Sequence, residues 1–218
     1  MEEFHQRLAT VGLGASEHDY GFALAGGQAV VAHGFLDRWS NDIDLFGALG
    51  TDLKAATDAV VAAYLTDGLT VDVEQRTEYY VRLQVADPKS GDESKVELVL
   101  DIRLNPVVRL TVGIVLVAVL HPDDIAGGKI GALFDRAECR DFIDVDALLG
   151  SGKYTRERLL EMAAERDVGF DSGVFADMLR TVHRFDDDEF ARYGVDPGKA
   201  AEIKGLADEW RDVLLPPG

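Results

Sequence analysis

Residues 25–46 read AGGQAVVAHGFLDRWSNDIDLF. The apolar run Phe22–Ala25 leads into this stretch, Gly26-Gly27 interrupts it, Gln28–Leu36 continues with helical character, and Ile43–Phe46 alternates as a strand. The order is strand, tight turn, helix, strand. Residues i and i+2 of a strand share a face, so Asp42 and Asp44 project two carboxylates side by side while Ile43 and Leu45 turn to the core. Two neighbouring carboxylates repel unless a cation lies between them. Mg²⁺ (or Mn²⁺) suits such a pair, because it takes hard oxygen ligands and keeps positions open for substrate phosphates. The Gly26-Gly27 turn ahead of a helix can bring backbone amides close to a triphosphate. In a chain with 40 acidic residues, a lone Asp-x-Asp carries little weight. Its setting adds more, since Arg38-x-Ser40-x-Asp42-x-Asp44 closes the sequence of strand, Gly-Gly and helix.

A phosphoryl-transfer site built on metal needs a further ligand and a base for the incoming hydroxyl. KVELVLDIRL (95–104) offers Glu97 and Asp101, both of one parity and so on one face. Asp101 is the stronger candidate, because an aspartate late in the apolar run Leu98, Val99, Leu100, Ile102 must be paired or desolvated. An ion pair with Arg103 or a strand-end cap is its ordinary alternative. Farther on, DDIAGGKIGALFDRAECRDFIDVDALL (123–149) sets charges within apolar helices. Lys129 and Arg136 lie seven residues apart on one helical face, the first suited to meet a phosphate as a point charge, the second to clamp it bidentately. Arg140, Asp141 and Asp144 form a second cluster, in which Asp141 is also placed to cap the next helix.

Around these segments the hydrophobic period predicts a helix over 3–13 and another over 52–66, with strands over 69–74, 79–85 and 96–103. The apolar stretch Leu110–Leu120 reads as one or two buried strands. From His121-Pro122-Asp123-Asp124, a good helix opening, the chain reads as nearly all helix: 122–135, 140–149, 155–166, 172–184 and 197–214. The fold expected is α+β, a mixed α/β N-terminal half over 1–120 followed by a helical region over 121–218.

Composition narrows the class. Hydrophobic residues at 47% and charged residues at 28% are ordinary for a globular chain. A net charge of -18 disfavours indiscriminate attachment to nucleic acid or anionic lipid. The single cysteine, Cys139, rules out an intramolecular disulfide and a thiolate zinc site. With no signal-like apolar run after MEEFHQRLATVGLG, the expectation is a cytoplasmic protein with no membrane partner.

Three blocks together carry a family resemblance, over about Phe22 to Leu149: LAGGQAVVAHGFLDRWSNDIDLF, KVELVLDIRLNP and LHPDDIAGGKIGALFDRAECRDFIDVDAL. They resemble the AbiEii/AbiGii toxin family of nucleotidyltransferases, within the polymerase-beta-like nucleotidyltransferase superfamily. The first block is similar to the family's Gly-Gly-Thr/Ser and paired aspartates, the second to its strand with a third acid, the last to its lysine helix and Arg-Asp-x-x-Asp signature. The resemblance implies a nucleotidyltransferase fold with a mixed sheet and a metal bound by Asp42 and Asp44, joined by Asp101. It also implies that Lys129 contacts the phosphates of a nucleoside triphosphate and that Asp144 or Asp141 completes the site. Gly26, Gly27, Gln28, Arg38, Ser40, Arg136 and Arg140 are the further candidates for binding nucleotide. A toxin silenced by a separately encoded antitoxin is implied, adding nucleotides to an RNA acceptor, the tRNA 3′ end, and so blocking translation. Gln28 stands where the family has Thr or Ser, replacing a hydroxyl with an amide. Two other readings stand beside this one. An aminoglycoside-like cationic acceptor would be drawn to so acidic a chain, and an inert relative would act only as a binding partner.

Overall fold

The computed structural model describes residues 3–36 and 42–215. They form two compact units, one of residues 3–34 and 42–122, the other of 35–36 and 123–215.

The first unit is built on a mixed sheet. Its strands are β1 (Ala23–Leu24), β2 (Asp42–Ala48), β3 (Thr70–Arg76), β4 (Tyr80–Ala86), β5 (Glu93–Asp101), β6 (Val108–Val112) and β7 (Val115–Val119), in the order β3-β4-β5-β2-β1-β7-β6. β2 runs parallel to β5 and antiparallel to β1, and β1 runs parallel to β7. The expected strands are present. Leu110–Leu120, however, becomes a hairpin that turns at Gly113 with Ile114 fully exposed, and Leu116 faces outward as well, so this stretch is not uniformly buried.

Alternation sets which face of the sheet joins the core. Ile43 and Leu45 on β2, Val96 and Leu98 on β5, and Val81 and Leu83 on β4 are buried, and the residues between them are half-buried or exposed. The buried side packs beneath α1 (Glu3–Tyr20), which extends a full two turns past the expected helix, and α3 (Leu53–Thr66). Gly12 permits the close approach, since a Cβ there would press on the Tyr64 hydroxyl and on Leu45. The Tyr64 hydroxyl donates to the Leu8 carbonyl at 2.9 Å, and burial holds its pKa far above the ordinary phenol value.

The second unit is helical. It comprises α4 (Pro122–Asp135), α5 (Cys139–Gly150), α6 (Arg156–Arg166), α7 (Ser172–Leu179) running into a 3₁₀ turn (Arg180–Arg184), α8 (Asp187–Ala191) and α9 (Pro197–Leu214). Each polar break supplies a cap for the helix after it. Thr155 accepts from Arg158 N, Asp171 from Val174 N, and Asp196 from Lys199 N with Pro197 in the first turn. The core gathers Leu159, Phe175, Leu179, Phe190 and Trp210, with the Phe175 and Trp210 rings edge-on at 5.2 Å.

Candidate active site

The candidates of the first unit grow from the connection between β1 and β2, which contains the short helix α2 (Gly26–Ala32). Ala25 N donates to the Asp44 carbonyl at 2.8 Å, which ties the helix start to the middle of β2. Gly26 has φ +57, a conformation that favours glycine, and a Cβ built on it would overlap the Asp44 carboxylate. The glycine therefore does more than free backbone amides, because it makes the space in which the Asp44 side chain lies. Asp42 and Asp44 alternate with buried Ile43 and Leu45 and are half-buried themselves, as the strand period predicts. Gln28 is buried at 2% exposure within α2. Arg38 and Ser40 lie outside the described residues.

The register of the parallel pair β2·β5 fixes where each candidate acid lies along the strands. Asp42 faces Lys95 and Asp44 faces Glu97, whereas Asp101 faces Ala48, four residues beyond Asp44. Four residues of strand span about 13 Å. The Asp101 carboxylate accepts the amide of its neighbour Ile102 at 2.7 Å. Parity put Glu97 and Asp101 on one face and could not separate them; register does. Among the described residues, no group of three or more His, Cys, Asp and Glu side chains is arranged to hold a metal ion.

Glu97 has partners that sequence reading did not find. Its Oε1 accepts the Tyr80 hydroxyl at 2.7 Å and Arg82 Nε at 3.0 Å, and Arg82 lies over the Tyr80 ring at 5.6 Å from its centroid. Burial, and then the bond to Glu97, push the Tyr80 phenol up to about 12, so it remains a donor. Tyr80 and Arg82 share a strand face by simple alternation, and that was legible. That the face looks onto Glu97 follows from the antiparallel pairing of Arg82 with Glu97, which one strand alone does not disclose.

The second unit holds the remaining candidates, each with a definite partner. Lys129 on α4 is buried and pairs with the wholly buried Asp144 of α5 at 2.7 Å. Arg136 grips both oxygens of Asp141, Nε and Nη2 each at 3.1 Å, and Asp141 also accepts Glu138 N in a capping box at the start of α5. Arg140 Nε pairs with Glu138 at 2.9 Å. Arg136 and Asp141, expected to bind nucleotide, are thus joined to each other and to the helix start. A further buried pair went unseen in sequence. Asp124 meets Arg166 Nη1 at 3.4 Å, and the arginine stem crosses α4 at Gly127, where a Cβ would strike its Cδ. Tyr154 donates to Asp123 at 2.8 Å, and burial first, then this bond, raise its pKa well beyond the ordinary phenol value.

A family profile described as "Nucleotidyl transferase AbiEii toxin, Type IV TA system" matches residues 8–214. Among solved structures, the chain is similar to MenT4, the nucleotidyltransferase toxin Rv2826c of Mycobacterium tuberculosis H37Rv. That match has a TM-score of 0.64 at 15% identity, covering 99% of this chain and 82% of that one. A putative nucleotidyltransferase from Helicobacter pylori matches with TM-score 0.56 at 18% identity over 99% and 98% of the two chains. JHP933 from Helicobacter pylori matches with TM-score 0.54 at 18% identity over 98% and 91%. At these identities the likeness speaks for the fold. No curated protein matches in sequence. Among the described residues, no helix is long and apolar enough to cross a membrane.

Proposed function

The chain belongs to the AbiEii nucleotidyl transferase toxin family of type IV toxin–antitoxin systems, and from that premise we propose that it moves a nucleotide from a nucleoside triphosphate to RNA. The acceptor in this reading is the 3′ end of tRNA, the consequence is a block of translation, and a separately encoded antitoxin restrains it.

The observation that carries the reading is the conjunction at α2 and β2. Asp42 and Asp44 occupy alternate positions of one strand face, and Gly26 is held at positive φ with its missing Cβ filled by the Asp44 carboxylate. A side chain at residue 26 would displace that carboxylate, so the local backbone is built around its position. Two half-buried hard-oxygen donors fit Mg²⁺, which commonly takes one or two carboxylates and completes its octahedron with water and substrate phosphates. When bound there, Mg²⁺ supplies neutralisation of the charge that develops on the phosphates.

The chain's own residues do the rest by positioning. Asp42 and Asp44 would hold the metal, beside which the triphosphate would lie in line with the acceptor hydroxyl. Lys129 contacts the phosphates as a point charge, and Asp144, at 2.7 Å from its ammonium, fixes where that charge sits. The helical unit supplies the acceptor surface. Gln28, buried at the start of α2, replaces the hydroxyl usual in the family and bears on nucleotide choice.

Incubating the protein with labelled nucleoside triphosphates, Mg²⁺ and total RNA tests the reading. Label in RNA, lost in Asp42→Asn, supports it. The net charge of -18 favours a cationic acceptor, so aminoglycoside-like compounds belong in the same assay. Label on the small acceptor alone would reassign the substrate, and no transfer to either would overturn the proposal.

A further inference from the structure

Glu97 stands where a third metal ligand would be expected. It is the register partner of Asp44 on the adjoining parallel strand, on the same face, with the strands about 4.8 Å apart. A glutamate there has the length and the charge to join a cation bound by Asp42 and Asp44. Its contacts run the other way. In the order β4-β5-β2, β4 lies on the far side of β5 from β2. The Tyr80 hydroxyl at 2.7 Å, Arg82 Nε at 3.0 Å and Arg82 Nη2 at 3.0 Å all reach Glu97 Oε1 from β4. Three donors draw the carboxylate across the sheet, away from Asp44, and the guanidinium offsets its charge. Consistent with this, the described residues contain no three-acid group arranged to hold a metal, although Asp42, Asp44 and Glu97 share one small area of sheet.

We propose that Arg82 and Tyr80 sequester Glu97, so that this nucleotidyltransferase binds its divalent ion through two chain carboxylates and keeps the third in reserve as a bound counter-charge. The inference rests on Asp42 and Asp44 being the metal ligands. Arg82 and Tyr80 are positioning residues in this account, since neither touches the metal or the nucleotide. They act by setting how many anionic ligands the ion meets, the variable that tunes affinity at oxygen-ligand sites.

Mn²⁺ binding to the full-length protein without nucleotide, followed by the loss of the free-ion EPR signal, tests this directly. The double variant Arg82→Gln/Tyr80→Phe releases Glu97 and is expected to bind Mn²⁺ about tenfold more tightly than the parent protein, as an added carboxylate ligand should. Adding Glu97→Gln to that pair should erase the gain, and Glu97→Gln alone should leave the parent affinity within about twofold. If the released variant binds no more tightly, or if Glu97→Gln alone weakens binding as far as Asp42→Asn does, the proposal is overturned. Should the double variant fail to fold by circular dichroism, Tyr80→Phe carries the test, with a gain of about threefold expected and no gain counting against the idea. The underlying reading fails separately, by Asp42→Asn and Asp44→Asn leaving Mn²⁺ binding unchanged.

Discussion

The buried aspartates of the helical unit and the two aspartates of β2 sit in different surroundings. In the helical unit the buried aspartates are matched to cations from their own unit: Asp124 to Arg166, Asp141 to Arg136, Asp144 to Lys129. In the sheet unit the aspartates of β2 are only half-buried and lie on a strand face. A carboxylate sealed with its partner commits its charge when the chain folds. Placement thus distinguishes acids paired inside the helical unit from acids set on a strand face.

Breaking a sealed pair should produce the largest effect. Asp144→Asn leaves the buried Lys129 ammonium without its counter-ion, and urea unfolding should register a loss of about 3–5 kcal/mol. The matched change at half-buried Asp42 in the sheet unit, Asp42→Asn, should cost less stability than that while removing transfer activity. Equal destabilisation by the two would erase the contrast. Next in size is Gly26→Ala, which meets both the strained φ of +57 and the Asp44 carboxylate, and should cost about 1–3 kcal/mol together with most of the activity. If activity survives there, Asp44 does not need the position that the glycine provides.

Removing a cap should do less, and should do it silently with respect to chemistry. Asp171→Ala loses the bond to Val174 N at 2.9 Å and should lower unfolding stability by about 1 kcal/mol without changing turnover. The smallest effect concerns Cys139, whose thiol burial pushes up to about 12. A raised pKa means the folded chain holds the proton more tightly than the unfolded one, so its contribution is intact below pH 9 and fades as pH climbs toward 12. Alkaline unfolding of Cys139→Ser compared with the parent should show a slightly shallower decline over that window.

How much of this was written in the sequence depends on the range of the interaction. The helix Pro122–Asp135 was predicted to the residue, because proline in the first turn and two acids beside it act locally. Alternation likewise put Asp42 and Asp44 on one face. The five-residue α8 escaped, since its DDDE opening reads as a solvated loop until the capping box of Asp186 and Glu189 is seen. The choice between Glu97 and Asp101 has no local signal to rest on. Both satisfy the same period, and only the offset between two strands separated by some fifty residues decides which one faces Asp44. The pairing of Lys129 with Asp144 and of Arg136 with Asp141 was hidden too, because each is made between one helix and the next or across the break joining them.

The two-residue strand β1 has a consequence for how the molecule comes into being. Among the described residues it joins the two halves of the sheet, and Leu24, made early, must wait for Val119 before its parallel partner exists. During synthesis on the ribosome the Gly26 turn therefore emerges long before the strand that will brace it. Such distant pairings slow folding, so the sheet is complete only once Val119 has emerged, and a chain released before then lacks the strand that braces the start of the Gly26 turn.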